Sequence, residues 1–284
     1  MAITQLSELN SLYPNFYERA LFVARDQNLM TQLVTTRDGN GWAPRILSTR
    51  PQITAGTVAE MTDYSNPATF GLTSPGTLTP LEMIAQVKLT DRDQETDPWG
   101  ALNDAVRELG ASMATRIDID LMANFNGFGV SKGTAGSVLP LRVVAAALSR
   151  IDGQHARQYG YPNVVIHPYQ WHDIYLELGQ TSTGNPPSEA ANKVMRDYFM
   201  TNALAANWYV STNTAGTAQS GTAVYGGAFV QDALMFDVRR APTLEVERDI
   251  SARLTEIQIT AGYATGTFRK EFGCGILADA TEPT

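Results

Sequence analysis

One stretch constrains this chain more than any other. Asp97 and Pro98 suit an N-cap and a first helical turn. Behind them Trp99, Leu102, Val106, Leu109, Met113, Ile117 and Leu121 recur at steps of three and four. That spacing draws a single apolar stripe along a helix, so one side of it is to be buried. Asn126-Gly127 is the predicted stop. The helix has about 28 residues and a length of about 42 Å, more than twice the globular mean.

The segment before the helix is poorly equipped to form a core. Residues 1–30 open polar, pass Tyr13-Pro14-Asn15 and read as a short helix through Phe16, Ala20 and Val23. A proline before a short helix predicts an extended arm that docks on something else. Residues 31–96 are rich in Thr, Pro and Gly, with Pro44, Pro51, Pro67, Pro75 and Pro80 breaking up strand-like pieces. Asp38-Gly39-Asn40-Gly41 is a strong turn signal. Gln86-Val87-Lys88-Leu89-Thr90 alternates as a strand exposed on one face. Large apolar residues are sparse here, and a two-stranded ribbon is marginal by itself in water. The excursion is therefore expected to pack on a neighbouring chain. The alternative is an irregular surface lobe of a monomer.

Beyond the helix the chain mixes helices and strands. Pro140 opens a helix with Leu141, Val144, Leu148 and Ile151 on one face, ended by Asp152-Gly153. Val164-Val165-Ile166 reads as a buried strand. Pro168 opens a helix aligning Trp171, Ile174, Tyr175 and Leu178, and a polar loop at residues 181–187 leads to a helix through Val194 and Tyr198. From Trp208 onward strands dominate. In residues 256–263, Ile257, Ile259, Ala261 and Tyr263 point one way and Glu256, Gln258, Thr260 and Gly262 the other. This order predicts an α+β fold, not a regular βαβ array.

Reactive chemistry has no evident centre. His167 and His172 are five apart with Pro168 between them, so they do not share a helix face as metal-binding pairs do. Residues 126–133 (NGFGVSKG) resemble a phosphate loop only faintly. They come after a helix where that motif comes after a strand, so a plain flexible connection is expected. Asp118 and Asp120 are two apart and face different ways on a helix. Asp91, Arg92, Asp93 and Glu95 form a mixed charge cluster, read as a solvated turn or an intersubunit salt-bridge patch. The one cysteine, Cys274, cannot form an intrachain disulfide. No catalytic, metal-binding or cofactor-binding residue is predicted, and no cofactor.

Composition narrows the partners. Hydrophobic residues make up 43% and charged residues 18%, with a net charge of -8. The low charged share suits a surface hidden against copies of itself, or equally an ordinary globular protein with few charges. The acidic balance and the lack of a basic tract speak against sequence-specific nucleic-acid binding. The N-terminal residues lack a secretion signal's layout, and no apolar run approaches a membrane span. A protein made and used in solution, in the cytoplasm where it is synthesised, is expected.

The order of parts resembles the major capsid protein of tailed bacteriophages, the Hong Kong 97-like fold. The matching stretches are residues 78–122 (LTPLEMIAQVKLTDRDQETDPWGALNDAVRELGASMATRIDIDLM), 163–178 (NVVIHPYQWHDIYLEL), 221–249 and 253–279. The resemblance implies an N-terminal arm at residues 1–30. It implies an E-loop with adjoining P-domain strands at 31–96 and a spine helix of the P-domain at 97–128. An A-domain at 129–240 and closing P-domain strands at 241–284 would complete the chain. It implies hexamers and pentamers in an icosahedral shell enclosing double-stranded DNA, assembled in the host bacterial cytoplasm and expanding on maturation. A portal protein and a separate scaffolding protein are the further partners, with a decoration protein a candidate that the sequence leaves open; no membrane is involved. Candidate intersubunit contacts are Trp42, Arg45, Arg50, Glu60, Lys88, Asp91, Arg92, Asp93, Glu95 and Trp99. Thr181, Gly184, Asn185 and Pro186 are candidates for the loop at the capsomer axis.

Three rival readings stand beside this one. An encapsulin-like nanocompartment shares the fold but encloses protein cargo. A tail or decoration subunit would build tubes or rings, or coat a shell. An enzyme on an unrelated α+β fold would need a polar constellation that the residues do not offer.

Overall fold

One sheet joins strands from an early and a late part of the chain. The computed structural model describes residues 28–39, 41–50, 53–65, 67, 69–96, 100–179, 202–217 and 223–283. Most of the expected arm, the cap at Asp97 and Pro98, the loop at 181–187 and the helix through Val194 and Tyr198 lie outside these residues. A short helix α1 (Met30–Leu33) leads to strands β1 (Thr35–Asp38), β2 (Arg45–Thr49), β3 (Thr73–Leu78) and β4 (Leu81–Thr90). Helices α2 (Asp91–Thr96) and α3 (Ala101–Met122) come next, then β5 (Ser131–Gly133), α4 (Leu141–Asp152), β6 (Asn163–Ile166) and α5 (Pro168–Gly179). The remainder is strand-rich: β7 (Asn202–Ala203), β8 (Ala206–Val210), β9 (Ala223–Phe229), β10 (Leu234–Asp249), β11 (Leu254–Thr267) and β12 (Gly273–Asp279).

The described residues form three sheets. One has the order β1-β10-β11-β4, one β5-β12-β9-β6-β8-β7, and β2 pairs only with β3. In the first, β10 and β11 form a long antiparallel hairpin from the Leu234–Thr267 pair to the Asp249–Leu254 pair. Its register slips between Val238 and Thr243, around Pro242, which has no N–H to donate to a ladder. The slip separates a buried half at Leu234–Asp237 from an exposed half beyond Arg240.

The long helix differs from its sequence reading. It has 22 α-helical residues, about 33 Å, and then tightens into a 3-10 turn at Ala123–Phe128. Asn126-Gly127 lie inside that turn, and the chain breaks away only at left-handed Gly129. The tighter winding brings both Phe125 and Phe128 inward against Phe229, with ring centroids 5.5 and 6.4 Å away. Leu102 is exposed and does not belong to the stripe; Ala105 and Leu109 take the sheet contact on Ile257. Farther along, Leu109, Met113, Ile117 and Leu121 are buried as their spacing predicts.

Residues 126–133 are not a flexible connection. β5 runs parallel to β12, with Ser131 opposite Gly275. Close approach also explains the Gly226-Gly227 pair in β9: a Cβ on Gly227 would come within 2.7 Å of the Phe125 ring. In the six-stranded sheet β6 is wholly buried, and Trp171 of α5 meets Trp208 of β8 edge-on at 5.7 Å. Buried Gln170 donates to the carbonyls of Val224 and Ala278 and accepts the His167 N–H, fastening α5 to two strands.

Candidate assembly surfaces

Among the described residues, the two-stranded ribbon is the least self-sufficient part. Its base is packed: Leu47 of β2 and Leu78 of β3 are buried with Met235 and Ala264 of the body sheet. Its outer part is not. Between β2 and β3 the described residues 53–72 have no regular structure and expose Ile53, Val58, Met61, Tyr64, Phe70 and Leu72, with Met61 open completely. The few contacts there are local; the Arg50 guanidinium sits 4.7 Å over the Phe70 ring. So many exposed apolar side chains along one run mark a surface that something else covers.

Where the ribbon leaves the body, a buried carboxylate holds two arginines. Asp237 of β10 has no exposed surface. Its Oδ2 accepts from Arg45 Nε at 3.0 Å, from Arg239 Nε at 2.9 Å and from Arg239 Nη2 at 2.6 Å. Arg45 Nη2 also lies 3.0 Å from Oδ1, which is a charge contact, since that oxygen has no hydrogen bond. Beside this group the Trp42 ring fills the space over Gly262, where a Cβ would come within 2.6 Å of it.

The exposed half of the long hairpin, with β4, makes a three-stranded blade. Helix α3 covers its β4 and β11 strands through Ala105, Val106 and Leu109 against Val87, Leu89, Ile257 and Ile259. Leu244 and Val246 of β10 stay open, as does Ile250 at the hairpin end. The blade's other face is polar. Lys88 pairs with Glu256 at 2.6 Å, and that partner raises the lysine's pKa. Arg240 reaches Glu82 and Glu245. At the hairpin end Arg248 donates to both oxygens of Asp91, which holds that carboxyl below its usual range. Asp249 accepts the N–H groups of Ser251 and Ala252 and the Ser251 hydroxyl, and its pKa is lowered chiefly by that hydroxyl.

The residues singled out in the sequence therefore fall into groups. Arg45, Lys88 and Asp91 have charge partners within the chain. Trp42 is half-exposed against Gly262, and Arg50 stacks on Phe70. Glu60 is exposed in the turn at residues 60–61, while Arg92, Asp93 and Glu95 lie on α2, with Arg92, Asp93 and Glu95 all at its open surface. Trp99, Thr181, Gly184, Asn185 and Pro186 lie outside the described residues. Sequence reasoning missed Asp237 and the full role of Asp118. Asp118 is buried on α3, where Oδ1 accepts the Leu29 and Met30 N–H groups and Oδ2 accepts the Asn213 amide. It fastens the entering chain to the long helix. Asp120, two residues on, pairs instead with Arg116 and accepts from the Tyr263 hydroxyl at 2.7 Å.

His167 has a structural place. It is buried, and its Nδ1 accepts the Tyr169 N–H at the start of α5. Among the described residues no three His, Cys, Asp or Glu side chains converge as a metal site would require, and no helix is long and apolar enough to cross a membrane.

Comparison with known proteins agrees with this geometry. Residues 84–276 match a family model described as phage capsid protein. Among solved structures, one from Mycobacterium phage Che8 superposes with a TM-score of 0.68 at 17% identity, covering 90% of this chain and 93% of that one. The mature capsid of bacteriophage PhiM1 gives 0.68 at 10% identity, with 92% and 90% covered. The capsid of a native GTA particle gives 0.67 at 8% identity, with 92% and 93% covered. No curated protein sequence matches.

Proposed function

The chain belongs to the phage capsid protein family, and from that premise we propose how its parts divide the work of building a shell. It is a major capsid protein with the Hong Kong 97-like fold, a structural component of the virion that assembles with copies of itself. The encapsulin-like, tail and enzymatic readings find no support in that match.

The finer reading assigns residues 1–30 to an N-terminal arm, 31–96 to the E-loop and adjoining P-domain strands, and 97–128 to the spine. Residues 129–240 form the A-domain and 241–284 the closing P-domain strands. The observation that carries it is the ribbon: buried at Leu47 and Leu78, exposed from Ile53 to Leu72. Laid across another copy, its apolar side chains leave water at about 25 cal/mol per Å². Trp42, Arg50, Glu60, Arg92, Asp93 and Glu95 lie on the surface of this excursion and of α2, and are assigned to contacts between copies. Arg45, Lys88 and Asp91 support those surfaces from within the chain; Trp99 belongs to the same contact set. Thr181, Gly184, Asn185 and Pro186 are assigned to the capsomer axis.

Copies assemble as hexamers and pentamers of an icosahedral shell around double-stranded DNA, in the host bacterial cytoplasm, with a separate scaffold, a portal and a decoration protein as partners. An acidic subunit surrounds DNA without holding it, because tight phosphate binding needs clustered Lys and Arg. Electron microscopy of the purified full chain, alone and with a co-expressed scaffold, tests the reading. Closed shells or capsomer rings are expected; a monomer under every condition overturns it.

A further inference from the structure

We infer that Asp237 is the positioning residue for the β2–β3 ribbon: it fixes the direction in which the ribbon leaves the body. The consequence for how the exposed 53–72 segment meets another copy rests on the shell reading above.

Two kinds of contact hold the ribbon's base. The first is the apolar cluster of Leu47, Leu78, Met235 and Ala264. Burial of this kind is not directional and tolerates a pivot. The second is ionic and directional. Arg45 is the first residue of the ribbon and Arg239 belongs to the body strand, and both present guanidinium forks to one carboxylate. The same two side chains also bracket the connecting segment. Arg45 Nη2 donates to the Asp38 carbonyl at 3.2 Å, and Arg239 Nη1 donates to the Gly41 carbonyl at 3.1 Å. Body, connection and ribbon thus meet at Asp237.

The ribbon's other leg is a short covalent link with no ionic contact of the Arg45 kind among the described residues. Only Thr79 and Pro80 separate β3 from β4. The proline is buried, fixes its own φ and restricts Thr79 before it, so this short leg is the covalent hinge about which the ribbon would tilt. A pivot about this leg must break the Arg45 contacts to Asp237 and Asp38, since these join the ribbon to the body on the opposite side.

Charge decides which variants are informative. Asp237 faces two arginines. Removing the carboxylate leaves two like charges together beside the buried core. Removing Arg45 leaves a balanced Asp237–Arg239 pair, so Arg45→Gln frees the ribbon and spares the body. Arg45→Lys keeps the charge and loses the fork.

The test uses the full chain. Hydrogen exchange on unassembled subunits compares wild type with Arg45→Gln, Arg45→Lys and Asp237→Asn. In Arg45→Gln, amides of residues 45–49 and 73–78 should exchange at least tenfold faster, while residues 257–263 of β11 stay within twofold of wild type. Closed shells counted by electron microscopy should fall at least tenfold or lose their uniform diameter, with Arg45→Lys between the two. Asp237→Asn should share the phenotype; if it does not fold, Arg45→Gln alone decides. Unchanged exchange at the ribbon, or Arg45→Gln shells normal in number and diameter, overturns the inference. Wild-type chain that never forms shells sinks the shell reading instead, and the exchange comparison still decides whether Asp237 holds the ribbon.

Discussion

Arg248 donates through one terminal nitrogen to each oxygen of Asp91, at 2.8 and 2.9 Å, joining the far end of the β10–β11 hairpin to the residue directly after β4. Arg253 stands 4.0 Å from the same carboxylate. The three-stranded blade is therefore closed at its tip by charge, beyond the reach of α3.

That closure predicts a pH dependence. The hydrogen bond from Arg248 comes first among the causes that lower the Asp91 pKa from its ordinary 3.8. A carboxyl depressed in the folded state contributes its stabilisation above the unfolded value and loses it as pH falls through the folded one. Amide exchange at Asp91, whose N–H donates to the Arg253 carbonyl, corrected for intrinsic rates, should be steady from about pH 7 to about pH 5 and accelerate below about pH 4. Arg248→Ala should show the fast behaviour already at neutral pH. High salt should weaken this exposed pair in the wild type, to an extent the Debye length sets.

Asp118 is a buried polar group whose loss should weigh on the body itself. Asp118→Ala would leave two main-chain N–H groups and the Asn213 amide without their acceptor, with the Met30 and Asn213 donors buried and the Leu29 donor partly so. Unsatisfied buried donors of this kind cost about 3 kcal/mol together. For a chain of this size that is a drop of about 5–10 °C in Tm, measurable by calorimetry on unassembled subunits. Asp118→Asn keeps one carbonyl oxygen and should lose less.

Tyr263 behaves in the opposite sense to Asp91. Burial first, and then its hydrogen bond to Asp120, push the phenol above its ordinary value of 10. A raised pKa contributes stability that is full below the unfolded value and lost as pH rises through the folded one. Tyr263→Phe should cost about 1 kcal/mol at neutral pH, one hydrogen bond. The gap between variant and wild type should shrink above about pH 10, which denaturant midpoints at pH 8 and pH 11 would reveal.

These residues also show what a sequence exposes and what it hides. The alternation at Ile257, Ile259, Ala261 and Tyr263 and the stripe at Val144, Leu148 and Ile151 were legible because each records one local face. The parallel pairing of Thr35 with Met235 was not, because nothing local in either strand names a partner so far along the chain. Asp118 and Asp120 look alike in the sequence, yet about 200° of helix separates a buried anchor from a surface pair. Asp237 left a trace: a lone carboxylate in the apolar run Leu234–Val238, with Arg239 and Arg240 directly after it. The irregular, open outer part of the ribbon was legible from its prolines and its few large apolar residues. Its direction was not, since Asp237 and Arg45 meet across 192 positions.

The exposed apolar residues of the ribbon separate assembly from folding. Ile53, Val58 and Met61 are each more than half exposed in the single chain, so replacing all three with serine removes little that the subunit itself uses. Exposed sites of this kind change stability by no more than about 0.5 kcal/mol each, and the variant's unassembled Tm should match wild type. Its shell yield should not. If these side chains are buried on another copy, each substitution removes apolar area from every contact in the shell, and the loss is repeated at each subunit. Sedimentation should then show material shifted from shells to free subunits at least tenfold. Leu47→Ala is the contrasting variant: Leu47 lies in the cluster at the ribbon's base, so it should lower Tm by creating a cavity, about 2–5 kcal/mol. A triple variant that assembles normally would mean that the outer ribbon does not touch its neighbours through these residues, and the shell would need another source of contact.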